Sequence, residues 1–253
     1  MPRTFAPSVP VAVHEITSAF EYAAFLDACK SDRARPKRER SRAALFLAAE
    51  SLLKSEALES ITVESVVQEA GFSRGTFYQY FKTTDELLVA LLNQFFEDIW
   101  TNRPQAFRAR SVFEQVYVVR LYYAKSFEKN AHLFYFYKFF SLRSGELGGA
   151  REKIISTWLE TLERRLRVEI DVPVTKKEFR GLLRAGGILW VEMLVEYFLA
   201  NDAILHRSAR SVEDLTNLVM LAWHRLVYGC DPLLSSINIE ILTGSSSKKS
   251  LTD

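Results

Sequence analysis

A cluster of polar side chains between residues 74 and 79 has the chemistry needed to contact duplex DNA. Arginine binds guanine through two hydrogen bonds, glutamine binds adenine, and the hydroxyls of tyrosine and threonine bind phosphates. Because residues near the start of a recognition helix contact most of the bases, Arg74 and Thr76 are the candidates for base reading. The alternative interpretation is a solvated surface that only covers a helical bundle.

Two short helices joined by a tight turn are predicted to position this cluster. The segment Thr62–Ala70 is the first helix, with its own threonine as the N-cap, and Gly71 suits the left-handed residue that ends it. Ser73 caps the second helix, which runs from Arg74 to about Phe81. The apolar side chains that form a small core between them are Val66, Val67, Ala70, Phe72, Phe77 and Phe81. The outward residues are then Arg74, Gly75, Tyr78 and Gln79, with Thr76 and Tyr80 at the flanks.

A basic segment at residues 30–42 precedes these helices. Seven of its thirteen residues are basic and two are acidic, which is the densest positive run of the chain. A charge run is usually a solvated surface. Its position next to the predicted DNA-binding helices nevertheless places the following cations within reach of a duplex backbone or minor groove: Lys37, Arg38, Arg40 and Arg42.

The remaining sequence has helical periodicity and no alternating strand pattern, so the predicted fold class is all-α. An extra helix is expected within 13–30, a helix from Lys37 to about Ser55, and another from Thr83 or Thr84. Further helices are expected at 111–129, 132–143, 148–170, 175–200 and 211–229. The predicted division is an N-terminal extension at 1–35, a three-helix helix-turn-helix DNA-binding domain at 36–88, a larger helical ligand-binding and dimerisation domain at 89–230, and a tail at 231–253.

Composition and motifs argue against several other classes of protein. The chain of 253 residues is 48% hydrophobic and has a net charge of only +2, so binding to nucleic acid needs local clustering of charge. Its two cysteines and four histidines have no metal-ligand spacing, and neither a phosphate-binding glycine loop nor a catalytic motif is present. We therefore expect no metal, no cofactor and no enzymatic activity. Without a signal peptide or an apolar run of membrane-spanning length, we expect a cytoplasmic protein with no membrane partner.

The segment Ile61–Leu88 resembles the N-terminal signature of the tetracycline-repressor (TetR) family of regulators. The shared residues, at the spacing of the family, are Thr62, Ala70, Gly71, Ser73, Gly75, Thr76, Tyr78, Phe81, Leu87 and Leu88. The resemblance covers about 50 residues, from roughly 40 to 90. It implies a homodimer with two recognition helices and a C-terminal domain that releases DNA when it binds a small molecule.

By position in the family pattern, Thr62, Tyr78 and Tyr80 contact phosphates, and Arg74 and Thr76 contact bases. Thr84 stands where the family often has a lysine at the start of its fourth helix. Either the phosphate contact of that lysine is absent, or Lys82 replaces it.

An aromatic run at residues 132–141, with six aromatics in ten residues, is the candidate wall of an effector pocket. Aromatics at helical spacing more often fill a core, but the resemblance implies a ligand site in this domain. The candidate ligand-binding residues are Phe113, Tyr117, Leu121, Phe134, Tyr135, Tyr137, Phe140, Trp158 and Trp190. Their chemistry favours a small hydrophobic or aromatic effector.

Two apolar helices, at 175–200 and 211–229, suit a four-helix dimer interface. The candidate interface residues are Leu183, Gly187, Trp190, Leu215, Val219, Ala222, Trp223 and Leu226. Packing of the same faces within one chain is the alternative, and sequence does not separate the two.

The function that fits these features is a sequence-specific DNA-binding transcriptional regulator, a repressor that a small hydrophobic or aromatic effector releases from a double-stranded DNA operator. The alternative is a helical ligand-binding or protein-interaction module with a vestigial helix-turn-helix. That module would not need the basic segment or an outward Arg74–Tyr78 face.

Overall fold

The computed structural model describes residues 19–55, 58–104, 111–141, 149–170 and 176–230, and within these ranges it contains helices and no strands. The predicted all-α class is therefore confirmed. The helices are α1 (Tyr22–Ser31), α2 (Lys37–Ser55), α3 (Val63–Ala70), α4 (Arg74–Tyr78), α5 (Thr84–Thr101), α6 (Val112–Lys129), α7 (Ala131–Ser141), α8 (Gly149–Glu169), α9 (Lys176–Phe198), α10 (Ala203–Ser208) and α11 (Val212–Tyr228). A 3-10 turn at Leu58–Ser60 precedes α3.

The described residues divide into two compact units. The first unit comprises residues 19–103 and 126–157, and the second comprises 104–125 and 158–230. The predicted DNA-binding domain at 36–88 lies inside the first unit, which also contains α1, α5 and α7. The predicted tail at 231–253 and residues 1–18 of the N-terminal extension lie outside the described residues.

Helix α1 of the N-terminal extension is held in the first unit by two buried polar side chains. Asn130 is 1% exposed, and its Nδ2 donates to the carbonyl oxygens of Phe20 and Ser126, both at 2.6 Å. Its Oδ1 accepts a hydrogen bond from the backbone nitrogen of Tyr22 at 2.9 Å, and the Ser126 hydroxyl accepts one from Phe20 at the same distance. The segment before α1 thus satisfies its buried backbone groups through side chains.

We expect Asn130→Ala to destabilise the first unit, because several buried backbone groups lose their hydrogen-bond partner. A buried polar group that loses its partner costs about 1–3 kcal/mol, so the loss should reach at least about 2 kcal/mol in urea unfolding. Asn102→Ala is the matched control, since its Nδ2 makes the same type of bond to the carbonyl of Asp98 at 2.8 Å on the exposed end of α5. Equal losses in the two variants would contradict a special role for Asn130.

The second unit has an apolar core between α6, α8, α9 and α11, whose most buried large residues include Phe113, Leu166, Phe179, Met220 and Trp223. Gly186 permits the close approach of α9 to α11, because a Cβ there would lie 2.9 Å from Cδ1 of Trp223. Such a contact is too short for any other residue. At Gly187 a Cβ would meet nothing within 4 Å, so only one of the two mid-helix glycines has this purpose.

Helix α10 is the element that the sequence did not predict. Asn201 and Asp202 form a break after the predicted helix 175–200, in which Asn201 adopts a left-handed conformation at φ 54°. The carboxylate of Asp202 then accepts hydrogen bonds from the backbone nitrogens of Ile204 and Leu205, at 2.9 and 2.8 Å. The break is therefore also the N-cap of a six-residue helix.

Candidate DNA-binding surface

The turn between α3 and α4 has the geometry that its residues predict. Thr62 caps α3 reciprocally with Ser65, since the Thr62 hydroxyl accepts from the Ser65 nitrogen at 3.2 Å and the Ser65 hydroxyl accepts from the Thr62 nitrogen at 2.9 Å. Gly71 is left-handed, with φ 67°, and its missing side chain avoids the strain of that conformation. The Ser73 hydroxyl accepts a hydrogen bond from the Thr76 nitrogen at 3.2 Å and so caps α4.

A small aromatic core fixes the direction of α4. Phe77 is fully buried, and its ring centroid lies 6.0 Å from that of Phe81, which lies 5.9 Å from that of Phe46 on α2. Val66 and Val67 of α3 are buried beside them, as predicted, while Ala70 and Phe72 are half-buried. Because Phe77 faces inward, the side chains that precede and follow it must face outward.

The outward face of α4 contains the predicted polar residues. Tyr78 is 57% exposed, and Arg74, Gly75 and Gln79 are exposed as well. Thr76 and Tyr80 are half-buried at the flanks. Thr62 and Lys82 are also exposed. Each residue that the family pattern assigns to a DNA contact is therefore at least partly exposed.

One partner of this face was missed in the sequence. The guanidinium of Arg74 forms an ion pair with the carboxylate of Glu64 on α3, and its Nε donates to the same oxygen. Both side chains are more than half exposed, so the pair contributes little to stability. Glu64 lies ten residues before Arg74, on the other side of the turn, so no local pattern in the sequence indicated this pair.

The basic segment continues into the first turns of α2. Lys37, Arg38 and Arg42 are exposed, and the Arg42 guanidinium lies 4.9 Å from the centroid of the Phe46 ring. Arg40 differs from them, because it is half-buried and its buried Nε has no hydrogen-bond partner. Three of the four predicted cations of α2 are therefore presented to solvent, and the fourth is partly withdrawn from it.

The candidate ligand-binding residues fall in both units. In the first unit, the rings of Phe95 and Phe96 on α5 pack edge-on against Phe134, and Tyr137 packs on Phe96 at 4.4 Å. Phe140 is buried, and Tyr135 is 51% exposed. The described aromatic side chains of α7 thus range from buried Phe140 through half-buried Phe134, Phe136 and Tyr137 to exposed Tyr135, and Phe139 lies outside the described side chains.

The other candidate ligand-binding residues lie in the second unit. Phe113 is part of the apolar core, and Tyr117 and Trp158 pack against it. Leu121 and Trp190 are buried as well. The Tyr117 hydroxyl donates to Oδ1 of Asn217 at 2.9 Å, and burial raises the pKa of this tyrosine to about 12. Tyr117 is therefore a neutral group that already has a partner.

The candidate dimer residues separate into a buried and an exposed set. The buried set, packed inside the second unit, is Leu183, Trp190, Leu215, Val219 and Trp223. Gly187 is half-buried, whereas Ala222 and Leu226 are exposed. The exposed residues continue into an apolar patch that we name the α9–α11 patch and define as Ala185, Ile188, Leu189, Ala222 and Leu226. Ile188 and Leu189, both more than half exposed, were missed in the sequence.

No group of three or more histidine, cysteine, aspartate or glutamate side chains among the described residues is arranged to hold a metal ion. None of the described helices is both long and apolar enough to span a membrane.

The N-terminal part of the chain matches a known protein family. The family model for bacterial regulatory proteins of the tetR family matches residues 45–91, which run from α2 through α3 and α4 into α5. Curated proteins, by contrast, gave no match.

The fold also resembles solved structures at low sequence identity. A transcriptional regulator from Rhodococcus sp. Rha1 is 20% identical, with a TM-score of 0.58, over 78% of this chain and 100% of its own. The fatty acid degradation regulator FadR from Bacillus halodurans is 18% identical, with a TM-score of 0.55, over 77% and 98%. A tetR-family transcriptional regulator from Streptomyces coelicolor is 15% identical, with a TM-score of 0.52, over 81% and 95%. Residues 45–91 therefore carry the signature of the tetR family of bacterial regulatory proteins, and the fold resembles that of solved regulators.

Proposed function

We propose that the protein is a sequence-specific DNA-binding transcriptional regulator that acts in the cytoplasm and has no enzymatic activity. The observation that carries this proposal is the orientation of α4, in which buried Phe77 turns Arg74, Tyr78 and Gln79 outward. A helix with such a face fits the major groove, where arginine and glutamine read base edges. The matched family signature covers these residues.

We expect Arg74→Ala to weaken binding to a selected operator by about 1–3 kcal/mol and to relax the preference at one base pair of each half-site. Tyr78→Phe should weaken binding to all sequences alike, because a phosphate carries no sequence information. Footprinting and equilibrium titration with operator and random duplexes measure both effects.

Glu64→Gln is the matched control for Arg74→Ala, because it breaks the same ion pair and keeps the guanidinium. If Arg74 reads a base, Glu64→Gln should preserve the preference at that base pair. If both variants lose the preference equally, the ion pair matters rather than a base contact, and the proposed role of Arg74 is wrong.

The exposed cations at the start of α2 should bind phosphates. The double variant Lys37→Ala and Arg38→Ala should flatten the dependence of log K on log salt by about 0.9 for each phosphate that the variant no longer neutralises. Lys54→Ala is the control, because it is exposed at the other end of the same helix, about 25 Å away. An unchanged slope in the double variant would mean that the segment only contributes solubility.

We further propose a homodimer in which the α9–α11 patch of one protomer packs against the same patch of its partner. The patch is a self-complementary candidate, since apolar residues of two helices lie side by side where Gly186 brings α9 close to α11. Two helices from each protomer then form a four-helix interface. Two-fold symmetry places a recognition helix on each half-site, about one helical turn of DNA apart or a multiple of it.

As the finer function we propose a repressor that leaves its operator when a small hydrophobic or aromatic effector binds. The support is the family, the apolar interior around Phe113, Leu121 and Trp190, and the similar fold of a fatty acid degradation regulator. Release requires the effector to bind the non-DNA-binding conformation more tightly than the DNA-binding one. A helical ligand-binding module with a vestigial helix-turn-helix remains the second candidate, and it predicts no preference among duplex sequences.

A further inference from the structure

Arg120 on α6 is buried in the second unit without a counter-ion among the described residues. Its side chain lies between two indole rings, with the guanidinium carbon 5.7 Å from the ring centroid of Trp190 and 5.5 Å from that of Trp223. Its Nη2 donates to the carbonyl oxygen of Gly186 at 3.3 Å. Its Nη1 is buried and has no hydrogen-bond partner. The residue is only 4% exposed.

This burial is unfavourable for the chain alone. Removing a cation from water is costly unless an opposite charge and hydrogen bonds compensate it. Burial lowers the pKa of Arg120 to about 9, and no carboxylate of the described residues raises it again. The guanidinium therefore stays charged near neutral pH. A methionine would fill a similar volume without this cost, so the packing of the described residues does not account for a cation at this position.

We propose that Arg120 binds the carboxylate of the effector, and that the effector is a carboxylic acid with an aromatic or aliphatic body. This inference rests on the proposed function, in which the domain that contains the second unit binds a small molecule. A guanidinium donates two parallel hydrogen bonds to the two oxygens of a carboxylate, and Nη1 is available for one of them. Phe113, whose ring stacks on that of Trp223 at 6.3 Å, is buried and apolar, so the surroundings of Arg120 suit the body of such an acid.

The charge of the site favours a carboxylate over a phosphate. A phosphate monoester carries about −1.5 to −2 charges near neutral pH and presents three acceptor oxygens. Burial alone shifts the pKa of Arg120, and no charged side chain of the described residues contributes to that shift. Among these residues, Arg120 is therefore the single positive charge of the site. One guanidinium between two indoles matches one singly charged group on an apolar molecule.

The test compares acids with their neutral amides. The probes are benzoate, phenylacetate, octanoate and decanoate, each beside its amide, and binding to the full chain is measured by calorimetry and by quenching of tryptophan fluorescence. We expect at least one acid to bind at least about 10-fold more tightly than its amide, since a hydrogen bond to a charged group gives about 10- to 100-fold. Arg120→Met should lose this preference and bind acid and amide alike, and Arg120→Lys should keep part of it.

A second measurement separates a ligand site from a structural arginine. If Arg120 serves the ligand, Arg120→Met without any probe should be at least as stable in urea as the unmodified protein, because it removes an uncompensated buried charge. Arg164→Met, at an exposed arginine of α8, is the control for loss of charge alone. Lower stability of Arg120→Met, or no acid that binds better than its amide, would overturn the proposal.

The DNA titration is run separately, so the two proposals fail in different ways. Binding of an acid through Arg120 with no change in operator affinity supports the site and contradicts effector release. If the protein prefers no duplex sequence but still binds an acid through Arg120, the result contradicts the proposed regulator and still supports the carboxylate site.

Discussion

The double substitution Ile188→Glu and Leu189→Glu should convert the proposed dimer to monomers. Both side chains are more than half exposed within the protomer, at 52% and 59%, so the changes do not disturb its core. In a two-fold interface the new charges are buried against their own symmetry copies without partners. Burying these unpaired charges should cost at least about 3 kcal/mol of association free energy, which raises the dimer dissociation constant more than 100-fold. Operator affinity should fall with it, because a monomer reaches only one half-site.

Sedimentation equilibrium measures this change, and Val168→Glu is its control. Val168 is 89% exposed on α8 of the same unit and outside the α9–α11 patch, so its variant should remain dimeric. The buried candidates Val219 and Trp223 are unsuitable for this test, because a charge there would unfold the core of the second unit. A double variant that still sediments as a dimer would exclude the α9–α11 patch as the interface.

Phe77→Ala should cost about 3–5 kcal/mol of stability and abolish operator binding. Phe77 is fully buried and contacts Phe81 and Tyr78, so its truncation leaves a cavity under α4. A loss of this size is a large fraction of the total stability of a domain. Hydrogen exchange of α3 and α4, together with urea unfolding, shows whether the loss is local or global.

Phe77→Leu is the matched variant, since it keeps an apolar side chain of similar reach. It should retain most of the stability and most of the DNA affinity, because volume-conserving changes in a core are tolerated best. If Phe77→Ala binds the operator as tightly as the unmodified protein, then α4 is not the element that contacts DNA.

The helix-turn-helix was predictable because its signals are local. Caps at Thr62 and Ser73, the left-handed Gly71 and the four-residue spacing of Phe77 and Phe81 each specify a short stretch of backbone. Together these signals predicted the bounds of α3 and the start of α4 to within about one residue. A threonine cap likewise predicted the start of α5 at Thr84. The exposure of Arg74 and Tyr78 follows from the same spacing.

Features that depend on distant contacts were not predictable in this way. Glu64 meets Arg74 only after the turn has formed, and Asn130 holds a segment that lies more than 100 residues earlier in the chain. The buried dimer candidates Leu215 and Trp223 have the same helical periodicity as an interface, so sequence alone could not assign them to the core. Arg120 did leave a signal, since it is the single charged residue in the apolar run 116–124.

Selection of duplexes from a random-sequence pool by the unmodified protein, followed by footprinting of the enriched sequence, tests the central claim most directly. We expect one enriched motif with two-fold symmetry, protected at two half-sites about one helical turn apart or a multiple of it. The specific complex should be at least about 1,000-fold tighter than that with random duplex at the same salt concentration. An enriched pool that is no different in sequence from the starting pool, with equal affinity for all duplexes, would contradict the claim that α4 reads DNA.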